Sequence, residues 1–264
     1  MAMTKPWENE EFHDDENFEL LKKEKRAKAR ARQAKADAAA LRDSPSPEVR
    51  AVGTIIRECA PDTRCGSGAD IQCGTATRRS LVKDLKALFD RSTSFLTATV
   101  VPAPDPLAAR NLANFDVSRF TAELTERLAD AGLGTIPVTG AIDISLNTYT
   151  GVHECQLWVP HWTLFFPDCD RREVSNRLSR VFHRTQFVEK PVYVQEITKT
   201  PHIAFSYAYK TLFYEIGYRT TEHGARRIHE LDPIKIVVGH PSFEHLAFHL
   251  DRIGLAQRIF RQNQ

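Results

Sequence analysis

Three side chains in two apolar segments have types and spacing that suit a metal ion. In "VPHWTLFF" (159–166), a strand would point His161 and Thr163 to the same face because they are two residues apart. In "GAIDISLN" (140–147), Asp143 lies among apolar neighbours, and a hairpin of the two segments would set it near His161. A histidine at position 163 would indicate a metal site, whereas the neutral hydroxyl of Thr163 is a weak ligand.

A tyrosine and a lysine three residues apart form a second candidate group. The segment "SYAYK" (206–210) is predicted to be helical, so Tyr207 and Lys210 would share one helical face. A tyrosine hydroxyl can act as a nucleophile, and a nearby lysine can orient it and offset negative charge. The alternative is that Tyr207 packs in an amphipathic helix and Lys210 is an ordinary surface lysine.

Three of the five cysteines are close enough in sequence to bind Zn²⁺ together. Cys59, Cys65 and Cys73 offer thiolates, and Asp70 stands where a Cys-x-x-Cys pair would have its other cysteine. Four ligands are what a structural zinc site requires, although three cysteines with one aspartate is an uncommon set. The alternative is a group of free, partly buried thiols.

The segments that must position these residues alternate between strands and helices. Between residues 93 and 197 their order is β-α-β-β-α-β, and the adjacent strand pair contains Asp143 and His161. This order predicts an α+β fold, with a ferredoxin-like or RRM-like antiparallel sheet packed with helices. The chain divides into a charged tail (1–48), a cysteine-containing segment and helix (49–92), a core (93–215) and a C-terminal helical extension (216–264).

The N-terminal tail joins an acidic stretch (8–19) to a strongly basic one (22–32). Its composition favours a helix, but its apolar residues form no stripe that could face a core. We therefore expect a flexible or helical tail that is solvated or contacts nucleic-acid phosphates. The basic side chains available for that contact are Lys22, Lys23, Lys25, Arg26, Lys28, Arg30 and Arg32.

Length, cysteine count and hydropathy narrow the class of protein. The 264 residues suffice for a sizeable core, and the net charge is only +2. The chain has an odd number of cysteines, and its first residues have no pattern of a secretion signal. Both observations indicate a reducing cytoplasm. No apolar run approaches the roughly 20 residues that span a bilayer, so we expect a soluble protein.

In chain order, the motifs resemble those of rolling-circle replication initiators, the HUH endonucleases of plasmids and phages. The first motif of that family is similar to "FLTATV" at 95–100. The second is proline, histidine, any residue, histidine and an aliphatic residue. Pro160, His161 and Leu164 match it, but Thr163 replaces the second histidine.

The third motif, a tyrosine and a lysine separated by two residues, is matched by Tyr207 and Lys210, and Asp143 matches an acidic residue before the second motif. The resemblance covers about residues 57–215 and implies an endonuclease of DNA replication. In such an enzyme, Tyr207 would attack single-stranded or hairpin DNA and become linked to the 5′ end. Asp143 and His161 would hold Mg²⁺ or Mn²⁺, and Lys210 would orient the tyrosine.

Because Thr163 replaces the second histidine of the motif, two firm metal ligands remain, and the sequence is compatible with more than one function. One possibility is that the missing ligand is replaced by His153, Glu154 or His202. Otherwise the metal is held loosely, or cleavage has been lost and the chain is a non-catalytic DNA-binding descendant of such an initiator. A third interpretation is a ferredoxin-like interaction domain without a nucleic-acid role, whose basic tail serves solubility.

Overall fold

A computed structural model describes residues 16–102, 107–151, 154–185, 187–197, 201–223, 226–239 and 241–263, without the side chains of 16–24, 89, 108–110, 201–203, 207 and 220–237. The helices are α1 (Glu16–Arg42), α2 (Pro47–Glu58), α3 (Ile71–Phe89), α4 (Val117–Asp130), α5 (Arg171–Val181), α6 (Pro201–Ala208) and α7 (Ser242–Ile253). The strands are β1 (Phe95–Val100), β2 (Leu107–Ala108), β3 (Val138–Gly151), β4 (Cys155–Pro167), β5 (Val192–Glu196), β6 (Tyr214–His223), β7 (Arg226–Val237) and β8 (Ile259–Gln262). Short 3₁₀ turns cover Ala109–Asn114 and Ala256–Arg258. Among the helices in these ranges, none has the length and apolar composition needed to cross a membrane.

The strands form one mixed sheet in the order β5-β1-β4-β3-β6-β7, with β2 paired to β4 and β8 paired to β3. The first four strands in this order are antiparallel neighbours, and with α4 and α5 they follow the β-α-β-β-α-β order predicted for residues 93–197. Strand β6 runs parallel to β3, and β7 runs antiparallel to β6. The predicted α+β fold is confirmed, with a hairpin of β6 and β7 added to its sheet.

Alternation along the strands gives the sheet two faces with different coverings. On one face, large apolar side chains such as Ile142 and Trp162 pack against α4 and α5. On the other face, Ala141 and Phe165 pack against α3 and α6. The predicted metal-binding side chains of β3 and β4 are spaced by even steps from Ala141 and Phe165. They therefore share the face that α3 and α6 cover.

The N-terminal helix α1 is packed against the protein in its second half. Ala34, Ala38 and Leu41 are buried, and Val52 and Ile56 of α2 belong to the same buried group. The expectation of a tail without a core-facing side is therefore wrong for this half. Small alanine side chains let two helices approach closely, so a narrow apolar stripe is enough to hold them together.

The prediction of a helical extension over 216–264 is wrong in part. This segment supplies the hairpin β6–β7 and strand β8, and within the described residues its helical parts are α7 and a 3₁₀ turn. The β6–β7 register shifts beside Gly217, and Pro233 lies in β7 at the edge of the sheet. Such irregularities disrupt the period-two pattern by which a strand is predicted from sequence.

Candidate functional site

Asp143 and His161 lie opposite each other on the paired strands β3 and β4. Asp143 Oδ2 is 3.2 Å from His161 Nε2, so the predicted hairpin that sets them together is confirmed. The other ring nitrogen of His161, Nδ1, donates to the backbone oxygen of Val159 at 3.0 Å. Asp143 Oδ1 accepts from the backbone N–H of Ile144 at 2.9 Å. Both side chains are therefore held in fixed orientations.

This pair lies where the hydrogen-bonded ladder of the sheet is interrupted. Along the edge of β3 that faces away from β4, β8 pairs with residues before Asp143 and β6 pairs with residues after it. The described strands therefore leave a gap on this edge, where the residues around Asp143 have no strand partner. On the outer side of β4, strands β2 and β1 leave a second gap around His161. Pro160, which has no amide hydrogen to donate, lies in the second gap. The segments that lead into β6 and β8 end beside the first gap.

Lys210 contacts the same carboxylate from the segment that leads into β6. Its Nζ forms an ion pair with Asp143 Oδ2, and its side chain is 17 % exposed against 3 % for that of Asp143. Helix α6 ends at Ala208, before Lys210. The expectation that Tyr207 and Lys210 share a helical face is therefore wrong, because the chain leaves the helix to bring Lys210 to Asp143. Tyr207 lies in the last turn of α6, and its side chain is outside the described residues.

Arg258 anchors the backbone of that segment, although no sequence motif pointed to it. Its side chain is almost fully buried, and its Nη2 donates to the backbone oxygen of Lys210 at 2.7 Å. Its Cζ lies 4.2 Å from the ring centre of Tyr209 and 5.1 Å from that of Phe213. Nη1 has no hydrogen-bond partner among the described residues. A basic residue directly before a short strand is too common a pattern to predict such contacts.

The charges of the site favour an ionised Asp143 and a surplus of positive charge. Burial alone would raise the pKa of the Asp143 carboxyl, but the Lys210 ammonium and then His161 lower it well below its usual range. Both ring nitrogens of His161 face oxygen acceptors, Nδ1 the backbone oxygen of Val159 and Nε2 the Asp143 carboxylate. One carboxylate thus stands against the permanent positive charges of Lys210 and Arg258. A cluster with this balance favours an anionic ligand.

The arrangement does not fit a resident divalent ion. Thr163 shares the face of His161, and its neutral hydroxyl stands where the initiator motif has a histidine. Asp143 and His161 are then two ligands, whereas Mg²⁺ demands near-octahedral coordination. The carboxylate oxygen that faces His161 also pairs with the Lys210 ammonium, whose charge opposes a second cation beside it. Within the described residues, the predicted Mg²⁺ or Mn²⁺ site is therefore incomplete.

A row of hydroxyl-bearing side chains leads from the pair to the edge of the sheet. Thr99 of β1 lies opposite Thr163 of β4 and opposite Tyr193 of β5, so all three share the face of His161. Thr99 is half-buried, and Tyr193 is 51 % exposed. An exposed aromatic ring on a sheet can stack against an unpaired base. The row thus ends in an exposed aromatic ring on the edge strand β5.

The predicted replacement ligands and the predicted DNA-binding residues of α1 lie largely on the surface or outside the described residues. Glu154 is exposed, and His153 and the side chain of His202 are not described. Arg30 of α1 is half-buried, and burial, followed by the charges of Arg79 and Arg26, lowers its pKa. Arg79 belongs to α3, so the basic surface of α1 lies beside that helix. The side chains of Lys22 and Lys23 are not described, and the exposed basic side chains of α1 include Lys25, Arg26, Lys28 and Arg32.

Three thiols and a carboxylate form a separate group that could hold a metal ion. The ligand atoms of Cys59, Cys65, Asp70 and Cys73 all lie within 4.8 Å of one another. The sulfur of Cys73 is 3.5 Å from that of Cys59 and 3.6 Å from that of Cys65. The four residues predicted from cysteine spacing therefore converge.

Local structure holds this cysteine group in place at the start of α3. Asp70 caps the helix, because its Oδ1 accepts from the backbone N–H of Gln72 at 2.8 Å. Its Oδ2 lies 3.5 Å from the sulfur of Cys65. Burial raises the pKa of the Cys73 thiol to about 11. A Cβ at the next residue, Gly74, would lie 3.1 Å from the side chain of Thr211, so the group packs close to the segment of Lys210.

No family model, curated protein or solved structure matches the chain. The geometry of the charged cluster and of the cysteine group is therefore the basis for a functional conclusion.

Proposed function

We propose that this protein is a rolling-circle replication initiator that nicks and rejoins single-stranded or hairpin DNA. The observation that carries the proposal is the meeting of separate sequence motifs at one point of the sheet. Asp143, His161 and Lys210 come from three segments, and the Asp143 carboxylate contacts both other side chains. These are residues of the motifs that resemble the initiators. Their convergence supports a shared role in one reaction.

The charge and shape of the site support a phosphodiester ligand. The Lys210 ammonium is a charged donor that suits phosphate oxygens, and the Lys210 side chain is partly exposed. On the face of His161, the half-buried Thr99 and the exposed Tyr193 add a hydroxyl group and a stacking ring. The basic surface of α1 would add affinity for phosphates of any sequence, and salt would weaken it steeply.

Tyr207 is the proposed nucleophile of the nicking step. Its hydroxyl oxygen forms a bond to phosphorus, and the bond from phosphorus to the 3′ oxygen breaks. The phenol loses its proton, the 3′ oxygen gains one, and the 5′ end stays on the tyrosine. Attack by the 3′ hydroxyl reverses the step, so rejoining needs no nucleotide triphosphate. The Lys210 ammonium stabilises the negative charge that develops on the phosphate oxygens.

The test is covalent capture of labelled DNA on the protein. Single-stranded DNA pools labelled at the 3′ end are incubated with the protein, with Mn²⁺ and with EDTA in parallel, and run on a denaturing gel. We expect a DNA-linked protein band that Tyr207→Phe abolishes. Tyr209→Phe is the matched control, because Tyr209 is buried and its hydroxyl donates to the backbone oxygen of Leu255 at 3.3 Å. A band that survives Tyr207→Phe, or no band at all, would contradict the proposal.

A second candidate is a non-catalytic protein that binds single-stranded or origin DNA on the same fold. Two observations favour it: Thr163 stands in place of the second histidine, and Lys210 pairs with the carboxylate expected to bind metal. It predicts salt-sensitive DNA binding without a covalent adduct. Thr163→His would not create an adduct in that case.

We also propose that the cysteine group binds Zn²⁺ and stabilises the start of α3. Thiolates suit Zn²⁺, and tetrahedral ligands about 2.3 Å from zinc place sulfur atoms about 3.8 Å apart. The sulfur of Cys73 is 3.5 Å from that of Cys59 and 3.6 Å from that of Cys65, close to this spacing. Asp70 Oδ2 would complete a closed site of four ligands. A closed site of this kind stabilises the fold and performs no catalysis.

Zinc content per chain tests the identity of the metal. We expect about one zinc ion per wild-type chain, as four ligands form one closed site. Cys73→Ser should lose the metal. Cys155→Ser, the matched control, lies outside the group and should keep it. Wild-type protein without zinc, or equal zinc in Cys73→Ser, would contradict the assignment.

A further inference from the structure

The Asp143 carboxylate is already matched by a cation of this chain. Lys210 Nζ pairs with Asp143 Oδ2, the same oxygen that faces His161 Nε2 at 3.2 Å. A divalent ion that bridged Oδ2 and Nε2 would share the oxygen with the ammonium of Lys210, and the two positive charges would repel. Thr163 independently removes a ligand of such an ion. Two separate features of the chain thus disfavour a metal at this point.

The fold holds Lys210 at this position through its backbone. Arg258 Nη2 donates to the Lys210 backbone oxygen at 2.7 Å, and the guanidinium is buried against the rings of Tyr209 and Phe213. The ion pair of Lys210 is therefore unlike a flexible surface pair, whose side chains are free to separate in water. The anchored backbone keeps the Lys210 ammonium within reach of Asp143, and the carboxylate holds it there.

We propose that Lys210 replaces the divalent ion at this site, which binds a phosphodiester through the Lys210 ammonium without a metal. Asp143 orients the Lys210 ammonium and offsets part of the positive charge of the cluster. The Lys210 side chain is 17 % exposed, which leaves it accessible to a ligand. The nature of the ligand as DNA rests on the proposed function, whereas the replacement of the metal does not.

Titration with Mn²⁺ alone, followed by electron paramagnetic resonance, tests the replacement without DNA. We compare the wild type with Asp143→Asn, Lys210→Met and Lys210→Arg. The cysteine group is the same in all four proteins, so differences report on the Asp143 site. We expect no Mn²⁺ binding that depends on Asp143 in the wild type or in Lys210→Arg. Lys210→Met should gain such binding, at least about 10-fold tighter than the wild type, because the opposing charge is gone.

Two results would overturn the replacement. One is wild-type Mn²⁺ binding as tight as that of Lys210→Met and lost in Asp143→Asn. The other is a Lys210→Met protein, folded by circular dichroism, that gains no Mn²⁺ affinity. Lys210→Gln serves as a second neutral variant if Lys210→Met does not fold.

Binding of a fluorescent oligothymidylate, measured by anisotropy, tests the ligand part. We expect the wild-type affinity in EDTA to match that in Mn²⁺ within about twofold, and Lys210→Met to lose about 10- to 100-fold, as for a charged hydrogen bond. Lys86→Met, a change at an exposed lysine of α3, is the matched control. Affinity that requires Mn²⁺ and Asp143 would overturn the inference while the DNA function stands. Metal-independent binding through Lys210 without any covalent adduct would overturn the nicking function alone.

Discussion

Removal of Lys210 should destabilise the protein more than removal of its partner Asp143. Lys210→Met leaves a carboxylate that is 3 % exposed without its closest cation. Breaking a buried ion pair from one side costs about 3–5 kcal/mol. His161 remains 3.2 Å from the same oxygen, so we expect the lower end, about 3 kcal/mol. In Asp143→Asn the long Lys210 side chain can turn its ammonium toward water, which limits the loss to about 1–2 kcal/mol.

The double variant, Asp143→Asn with Lys210→Met, contains neither charge and should be more stable than Lys210→Met alone. The expected coupling energy between the two positions is about 2 kcal/mol. Urea unfolding followed by circular dichroism gives the four free energies of unfolding. Lys86→Met, at an exposed position, should change stability by no more than about 0.5 kcal/mol. If the losses of unfolding free energy at Lys210 and Asp143 simply add, or if Lys210→Met is as stable as the wild type, the ion pair does not stabilise the fold.

Three further predictions concern packing and pH. Gly140→Ala should cost about 1–3 kcal/mol in urea unfolding, because a Cβ there would lie 2.4 Å from the Thr163 backbone oxygen; an unchanged stability would contradict this. Leu41→Ala should cost about 2–5 kcal/mol because Leu41 is buried between α1 and its neighbours, whereas Lys35→Ala at an exposed position of α1 should not. Burial, and then the charge of Arg252, lower the pKa of His249 to about 4, below its unfolded value of about 6.5. The unfolded state therefore binds the proton more tightly, and the free energy of unfolding should fall by up to about 3 kcal/mol as the pH drops from about 6.5 to about 4. His249→Leu, measured over the same pH range, should lessen that fall.

The site is partly predictable from sequence because two of its residues lie on adjacent strands. Period-two spacing sets the face of His161, and the hairpin of neighbouring segments sets Asp143 opposite it. The cysteine group is similar in this respect, since its ligands are close in sequence and meet around one helix start. Local spacing carries most of the information in both cases.

The other half of the site depends on contacts that no local pattern encodes. Lys210 reaches Asp143 across 67 residues of sequence, and it does so after α6 has ended. Arg258 is 48 residues further along and acts on the backbone of Lys210. Both contacts arise because the segments before β6 and β8 end beside a gap in the ladder of β3. The sequence therefore predicts Lys210 and Asp143 as functional residues, but not the ion pair between them.

The most direct test of the central claim is to locate the DNA on the protein. Protein is trapped with single-stranded DNA, digested with nuclease and protease, and the peptides are sequenced by tandem mass spectrometry. We expect a nucleotide remnant on the peptide that contains Tyr207, attached through a phosphate on the tyrosine oxygen. A remnant on another residue, or none on protein that binds single-stranded DNA through Lys210, would contradict the nicking function.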